Sequence, residues 1–222
     1  MNLNKHLDFI KPYTYGKPIH IIGVGAVGSR VAELVVRLGF NDIHIYDFDI
    51  VEDGNITNQI YTYRDMGMSK EDALERILLD INPHLQLTKH GRYEKQPLEG
   101  AVFLAVDSIK TRREITKANI RNLKIDIFID MRMRLTDGQV YTAVWKEAQQ
   151  AHRFLNSMDF NDEDDLTPVS VCGTTLSVAP TVVTLVSIGI MNLMRYIRKE
   201  SIREVAFLDL MEFNINTIVY KN

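Results

Sequence analysis

One cysteine in 222 residues, Cys172, excludes an intramolecular disulfide and any metal site built from cysteine alone. Charge of one sign is also missing. Twenty-six Lys and Arg stand against 29 Asp and Glu, a formal net charge of -3, so no bulk field draws the chain to nucleic acid or to an anionic membrane. No hydrophobic run is both long and uninterrupted. The best candidate, Val178 to Met194, contains Pro180, Ser187 and Asn192 and is short for a bilayer span, so a buried helix is expected there. The start, Met1-Asn2-Leu3-Asn4-Lys5, has no signal-peptide core, which makes the cytoplasm the expected compartment. There is no internal repeat and no low-complexity tract.

Hydrophobic residues make up 45 % of the chain, enough for one sizeable core, and a single domain over 1–222 is expected. Apolar runs at Ile19–Val24, Ile43–Tyr46, Leu85–Leu87, Ala101–Val106 and Ile125–Ile129 alternate with helical patterns that begin near Ala26, Asp65 and Ser108. That alternation predicts an α/β fold with a Rossmann-like, mostly parallel sheet and helices on both faces. After Asp130 the pattern changes: Gly138–Trp145, Val205–Leu210 and Asn214–Tyr220 read as an antiparallel extension. The polar stretch of about 147–168 carries few apolar anchors beyond Phe154, Leu155, Met158 and Phe160. It reads as a mobile loop or lid, and its acidic run Asn161-Asp162-Glu163-Asp164-Asp165 as a solvated surface.

The densest signal lies between Ile19 and Gln59. An apolar strand enters Gly23-Val24-Gly25-Ala26-Val27-Gly28, and a second strand closes on Asp47-Phe48-Asp49. Gly23 suits a tight strand-to-helix turn, Gly25 lets the backbone approach a phosphate, and Gly28 lets the helix pack closely on the strand, with the phosphate at the helix N-terminus near Ala26. Asp47 stands where a ribose hydroxyl is read, or caps its own turn. A dehydrogenase needs little behind that carboxylate, yet Asp49, Asn55, Asn58 and Gln59 all follow within twelve positions. Lys70 opens a helix after Gly67-Met68-Ser69, and Asp107 ends a strand before Ser108 and Arg112. A lysine on phosphate oxygens and an aspartate holding Mg²⁺ are the parts that phosphoryl and nucleotidyl transfer need. Lys70 also reads as a solvated first-turn lysine, and Asp107 as a helix N-cap.

Taken in order, these pieces resemble the ThiF/MoeB-type adenylyltransferases, bacterial relatives of ubiquitin-activating enzymes. The matching residues are Gly23-x-Gly25-x-x-Gly28, Asp47-Phe48-Asp49 with Val51, Asn55 and Gln59, Gly67-x-x-Lys70, Asn82-Pro83, Asp107 with Arg112, Gly138-Gln139-Val140, and Cys172 ahead of Ala179-Pro180. The resemblance implies ATP and Mg²⁺ in the crevice and a small ubiquitin-like or sulfur-carrier protein whose C-terminal carboxylate attacks the α-phosphate. It implies ribose binding by Asp47, a phosphate site lined by Asn55 and Gln59, Lys70 on phosphate oxygens, Asp107 on Mg²⁺, and a homodimer with part of its apolar surface on the Val178–Met194 helix. It also places a nucleophilic cysteine at Cys172, which otherwise reads as a small buried hydrophobe.

The departures are equally specific. Asn58 stands where most relatives carry arginine, which takes a positive charge from the phosphate site. The paired Cys-x-x-Cys knuckles of many relatives cannot form with one cysteine, so no zinc is expected. Arg132 and Arg134, two apart on a strand, offer charge near a carboxylate or simply face solvent. Two further readings stay open: a non-catalytic nucleotide-binding scaffold, and a nicotinamide-dependent or flavin-dependent oxidoreductase.

Overall fold

The computed structural model describes residues 1–161, 169–170 and 176–220. Its elements run β1 (Ile19–Ile22), α1 (Ala26–Leu38), β2 (Asp42–Tyr46), α2 (Lys70–Ile81), β3 (Gln86–Lys89), β4 (Gly100–Leu104), α3 (Ile109–Asn119), β5 (Ile125–Met133), β6 (Asp137–Val144), α4 (Ala148–Asn156), α5 (Ala179–Ile197), β7 (Val205–Asp209) and β8 (Asn214–Ile218). Among the described residues they form one eight-stranded sheet in the order β3-β2-β1-β4-β5-β6-β7-β8. Strands β1 to β5 are parallel; β6, β7 and β8 are added antiparallel, as the change of pattern after Asp130 predicts.

Period-two alternation divides the core between two faces. Ile19, Ile21, Ile43, Ile45, Phe103, Ile127 and Ile129 meet α1, α2 and α5 on one side. Ile22, Tyr46, Val102, Leu104 and Phe128 meet α3 and α4 on the other. Strand order reverses between β1 and β4, and a doubly wound sheet opens its ligand crevice at such a point, beyond the carboxyl ends of the strands. Helix α5 is long and apolar enough to cross a membrane by length and composition, yet it packs on α1, β5 and β6, with Leu185, Val186 and Leu193 buried. Its outward Val183 and Met191 stay exposed, the surface expected to serve a homodimer.

Two expectations are corrected. Residues from Ala148 to Asn156, expected as aperiodic loop, form α4 because Ala151 and Phe154 share one helical face and Phe154 packs on Phe128 and Trp145 at 5.6 and 5.7 Å. Asp162 to Asp165 lie outside the described residues. The helical pattern placed near Asp65 starts instead at Lys70, where Ser69 Oγ accepts the Asp72 N–H. Asp65 closes a separate 3₁₀ turn, Tyr63–Asp65, by accepting the Thr62 N–H at 2.8 Å. Burial works to raise the Asp65 pKa, but the Thr62 hydrogen bonds and Arg76 hold it below the usual carboxylate range.

On the α3 side, an imidazole stack runs from β1 to the end of β3. His20 lies 4.6 Å from His44, His44 5.1 Å from His90, and His90 4.3 Å from Tyr46. Burial first, and then its two imidazole neighbours, lower the His20 pKa from 6.5 to about 3. Burial lowers the His90 pKa as well. Between those limits the unfolded chain binds a proton that folded His20 refuses, so stability is complete above about pH 6.5 and is lost as the pH falls toward 3. The slope reaches roughly 1.4 kcal/mol per pH unit for one proton. Urea unfolding across this range should show a shallower decline in a His20→Gln variant than in the wild type; parallel declines would contradict the assignment.

Candidate active site

The turn after β1 is built from contacts that a side chain would prevent. Gly23 has φ +88°, and a Cβ there would lie 2.8 Å from the Ala105 carbonyl oxygen at the end of β4. A Cβ on Gly28 would fall 1.8 Å from the Gly23 oxygen, so the first turn of α1 seats on the turn only because Gly28 has none. Gly25 differs: a Cβ there meets nothing within 4 Å. It caps α1 immediately before Ala26, beside open space at the carboxyl edge of the sheet, the approach its position predicts for a phosphate.

Asp47 clasps this turn. Its Oδ2 accepts the Val24 N–H at 2.7 Å and its Oδ1 the Asp49 N–H at 2.9 Å. Glu71 Oε1, in the first turn of α2, accepts N–H groups of Asp47, His90 and Gly91 at 3.3, 3.1 and 2.9 Å and so joins the ends of β2 and β3. Its pKa is raised by burial, against the pull of those three donors. Tyr61 donates to the Val24 carbonyl at 2.7 Å, and its phenol pKa is driven up by burial and then by the carboxylates around it. Reading along the chain predicts neither Glu71 nor Tyr61 as a support of this turn. Only the acidic first turn of α2 signals Glu71.

Lys70 is buried, and its Nζ pairs with Asp49 Oδ2 at 2.8 Å, which offsets the repulsion a cation meets at a helix N-terminus. Asn55 accepts the Glu52 N–H at 2.9 Å and closes the 3₁₀ turn Asp53–Thr57. Asn58 Nδ2 donates to Ser177 Oγ, while Asn58 Oδ1 and Gln59 Oε1 are buried without a hydrogen-bond partner. Ser108, not Asp107, caps α3: Ser108 Oγ accepts the Thr111 N–H, and exposed Asp107 accepts the Ser108 N–H at 2.8 Å. Among the described residues no three His, Cys, Asp or Glu side chains are placed to hold a metal, so an ion at Asp107 would take its other ligands from the phosphates and water. Cys172 lies outside the described residues.

Three arginines after Asp107 are tied to carboxylates. Arg112 is buried and reaches the Leu104 carbonyl at 3.2 Å and the Asp130 carboxylate; burial, ahead of its charge partners, lowers its pKa. Arg132 binds the other Asp130 oxygen at 2.6 Å and clamps the end of α4 through Ser157 O at 2.7 Å and Oγ at 2.8 Å. Arg134, on the hairpin, pairs with Asp137.

Residues 17–221 match the model of the ThiF family. The chain belongs to that family. Curated relatives include ubiquitin-like modifier-activating enzyme 5 of Drosophila ananassae, 31 % identical over 144 residues that cover 55 % of this chain and 35 % of that protein. The enzyme of the same name from Caenorhabditis elegans is 36 % identical over 75 residues, covering 34 % of this chain and 18 % of that protein. The matches therefore span about a third or less of those relatives. Among solved structures, the microcin C7 biosynthetic enzyme MccB in complex with N-formylated MccA superposes with a TM-score of 0.71 at 15 % identity, over 92 % of this chain and 64 % of that one. PaaA superposes with a TM-score of 0.72 at 17 % identity, over 95 % and 68 %. At these identities the likeness shows a shared fold, the Rossmann-like ThiF architecture.

The glycine contacts predict two unlike variants. Gly28→Ala forces apart the turn and α1 and should lower the unfolding free energy by about 3 kcal/mol or more, as backbone clashes do. Gly25→Ala meets no clash and loses only the N-cap preference for glycine, so it should cost no more than about 1 kcal/mol. Equal losses in urea unfolding would contradict the open cradle at Gly25.

Proposed function

We propose that the chain is an ATP-dependent adenylyltransferase acting on the C-terminal carboxylate of a small ubiquitin-like or sulfur-carrier protein. The observation that carries this reading is the convergence of an open glycine cradle with buried, partnerless amide oxygens of Asn58 and Gln59 beside one helix N-terminus at the strand-order switch. Polar atoms left unmet in a folded chain cost about 1–3 kcal/mol each, so such a pair calls for a partner such as a ligand or water. MccB has been solved with ATP, on this fold.

Each residue then has a role set by its chemistry. The α1 N–H groups after Gly25 meet phosphate oxygens, and Asp47, held by Val24 and Asp49, accepts from the ribose hydroxyls. Lys70 exchanges Asp49 for a phosphate oxygen, which brings positive charge to the nucleotide without leaving a buried carboxylate, because Asp49 is half exposed. Asp107 would hold Mg²⁺, which when bound would supply positive charge for pyrophosphate departure. An oxygen of the partner's carboxylate bonds to the α-phosphorus, the bond from that phosphorus to the bridging oxygen breaks, and pyrophosphate leaves with the electron pair. The product is an acyl-adenylate. Cys172 is assigned as the thiolate that receives the acyl group, releasing AMP.

A second reading, a nucleotide-binding scaffold without turnover, is favoured by one observation: the Asn58 amide is engaged by Ser177 and brings no charge to the site. Thermal shift with ATP and Mg²⁺, followed by ATP–pyrophosphate exchange with candidate carriers, separates the two. At about 100 times its dissociation constant ATP adds roughly 2.7 kcal/mol of stability, and both Lys70→Ala and Asp107→Ala should reduce that gain. Cys172→Ala should keep exchange and lose any reducible carrier adduct. ATP binding without exchange supports the scaffold; stabilisation by NADH and not ATP contradicts both readings.

A further inference from the structure

Among the described residues a third buried atom without a partner belongs to a residue that the proposed reaction leaves unused. Arg30, in the second turn of α1, points its guanidinium at the segment carrying Asn58 and Gln59: Nη2 donates to the Gln59 carbonyl at 3.3 Å, Nη1 to Glu33 Oε2 at 3.0 Å, and Nε is buried with no partner. Next to it, Ser29 Oγ accepts the Ile60 N–H at 3.4 Å, so α1 and this segment are held together at the place where all three unmet groups gather. Such a gathering fits a ligand with several acceptor oxygens. Half a turn of either amide exchanges its carbonyl for N–H₂, and Ser177 Oγ can then donate to Asn58 where it now accepts.

The charge arrangement leaves Arg30 available. Glu33 is shared: Arg37 Nε binds its Oε1 at 2.9 Å while Arg30 binds Oε2. If Arg30 turns toward a ligand, Glu33 keeps Arg37, and no carboxylate is stranded. The three side chains carry two positive charges against one negative, a surplus of one cation beside the neutral amides. Arg30 stands four residues beyond Ala26, about 6 Å along the helix from the cradle at 1.5 Å per residue, a span that the arm of an arginine covers.

We propose that Arg30 holds the terminal phosphates of the nucleotide and the pyrophosphate that leaves, with Asn58 and Gln59 as its amide partners. The inference rests on ATP being the substrate and adds the residue that discriminates ATP from AMP. Arginine suits this task because its planar fork binds phosphate oxygens in pairs.

Calorimetric titration of the whole chain with ATP, AMP and inorganic pyrophosphate, each with Mg²⁺, tests it. Arg30→Ala should weaken ATP and pyrophosphate binding by about ten- to a hundredfold, the size of one lost charge-assisted hydrogen bond, while AMP changes less than about twofold. Arg30→Lys should fall between wild type and Arg30→Ala. Adding Asn58→Arg to Arg30→Ala should restore ATP affinity by returning a guanidinium to the segment that Arg30 contacts, which a purely structural loss would not allow. If wild type binds no ATP, the adenylyltransferase reading itself falls. If wild type binds ATP and Arg30→Ala weakens ATP and AMP alike, or neither, or if the double variant shows no recovery, the role of Arg30 is overturned while that reading stands.

Discussion

The absence of a side chain at Gly28 is the constraint on which the site depends. Because the Gly23 carbonyl occupies the space a Cβ would need, α1 starts directly against the turn, beside the open space around Gly25. Asp47 and Tyr61 can reach Val24 from opposite sides, at its N–H and its carbonyl, only while the turn stays in that place. Glu71 then fixes Asp47 from behind by gathering three backbone N–H groups. One steric fact at one glycine thus propagates to the orientation of the carboxylate assigned to the ribose.

Elsewhere two buried carboxylates each hold two cations. Asp130 joins Arg112 of α3 to Arg132, which in turn holds the end of α4. Asp126 takes Lys17 and Lys146 at 2.8 and 3.2 Å. A buried carboxylate that lost one of two partners would still keep the other, whereas a single buried pair that is broken leaves an uncompensated charge. Among the described residues, Arg30 Nε, Asn58 Oδ1 and Gln59 Oε1 are instead buried without a hydrogen-bond partner.

The glycine turn, Asp47 and the parallel strands were legible because each is encoded within a few residues: a tight turn needs glycine locally, and buried strands read as apolar runs. Supports that come from far along the chain were not. Tyr61 lies 37 residues from Val24, and Arg30 lies 29 from Gln59, and no periodicity encodes such contacts. Helix α4 was hidden by polar neighbours, although Ala151 and Phe154 already follow its spacing and Met158, just past its end, continues it. Asp107 and Ser108 show the reverse case, in which two adjacent capping residues compete and only the hydrogen bonds decide that serine takes the cap.

Hydrogen–deuterium exchange with and without ATP and Mg²⁺, with NADH as the contrasting ligand, tests whether this crevice takes ATP at the first turn of α1. Exchange should slow on ATP in two separate stretches, residues 23–29 and 55–60, with no such protection from NADH. Protection by NADH alone, or ATP protection that spares both stretches, would contradict it.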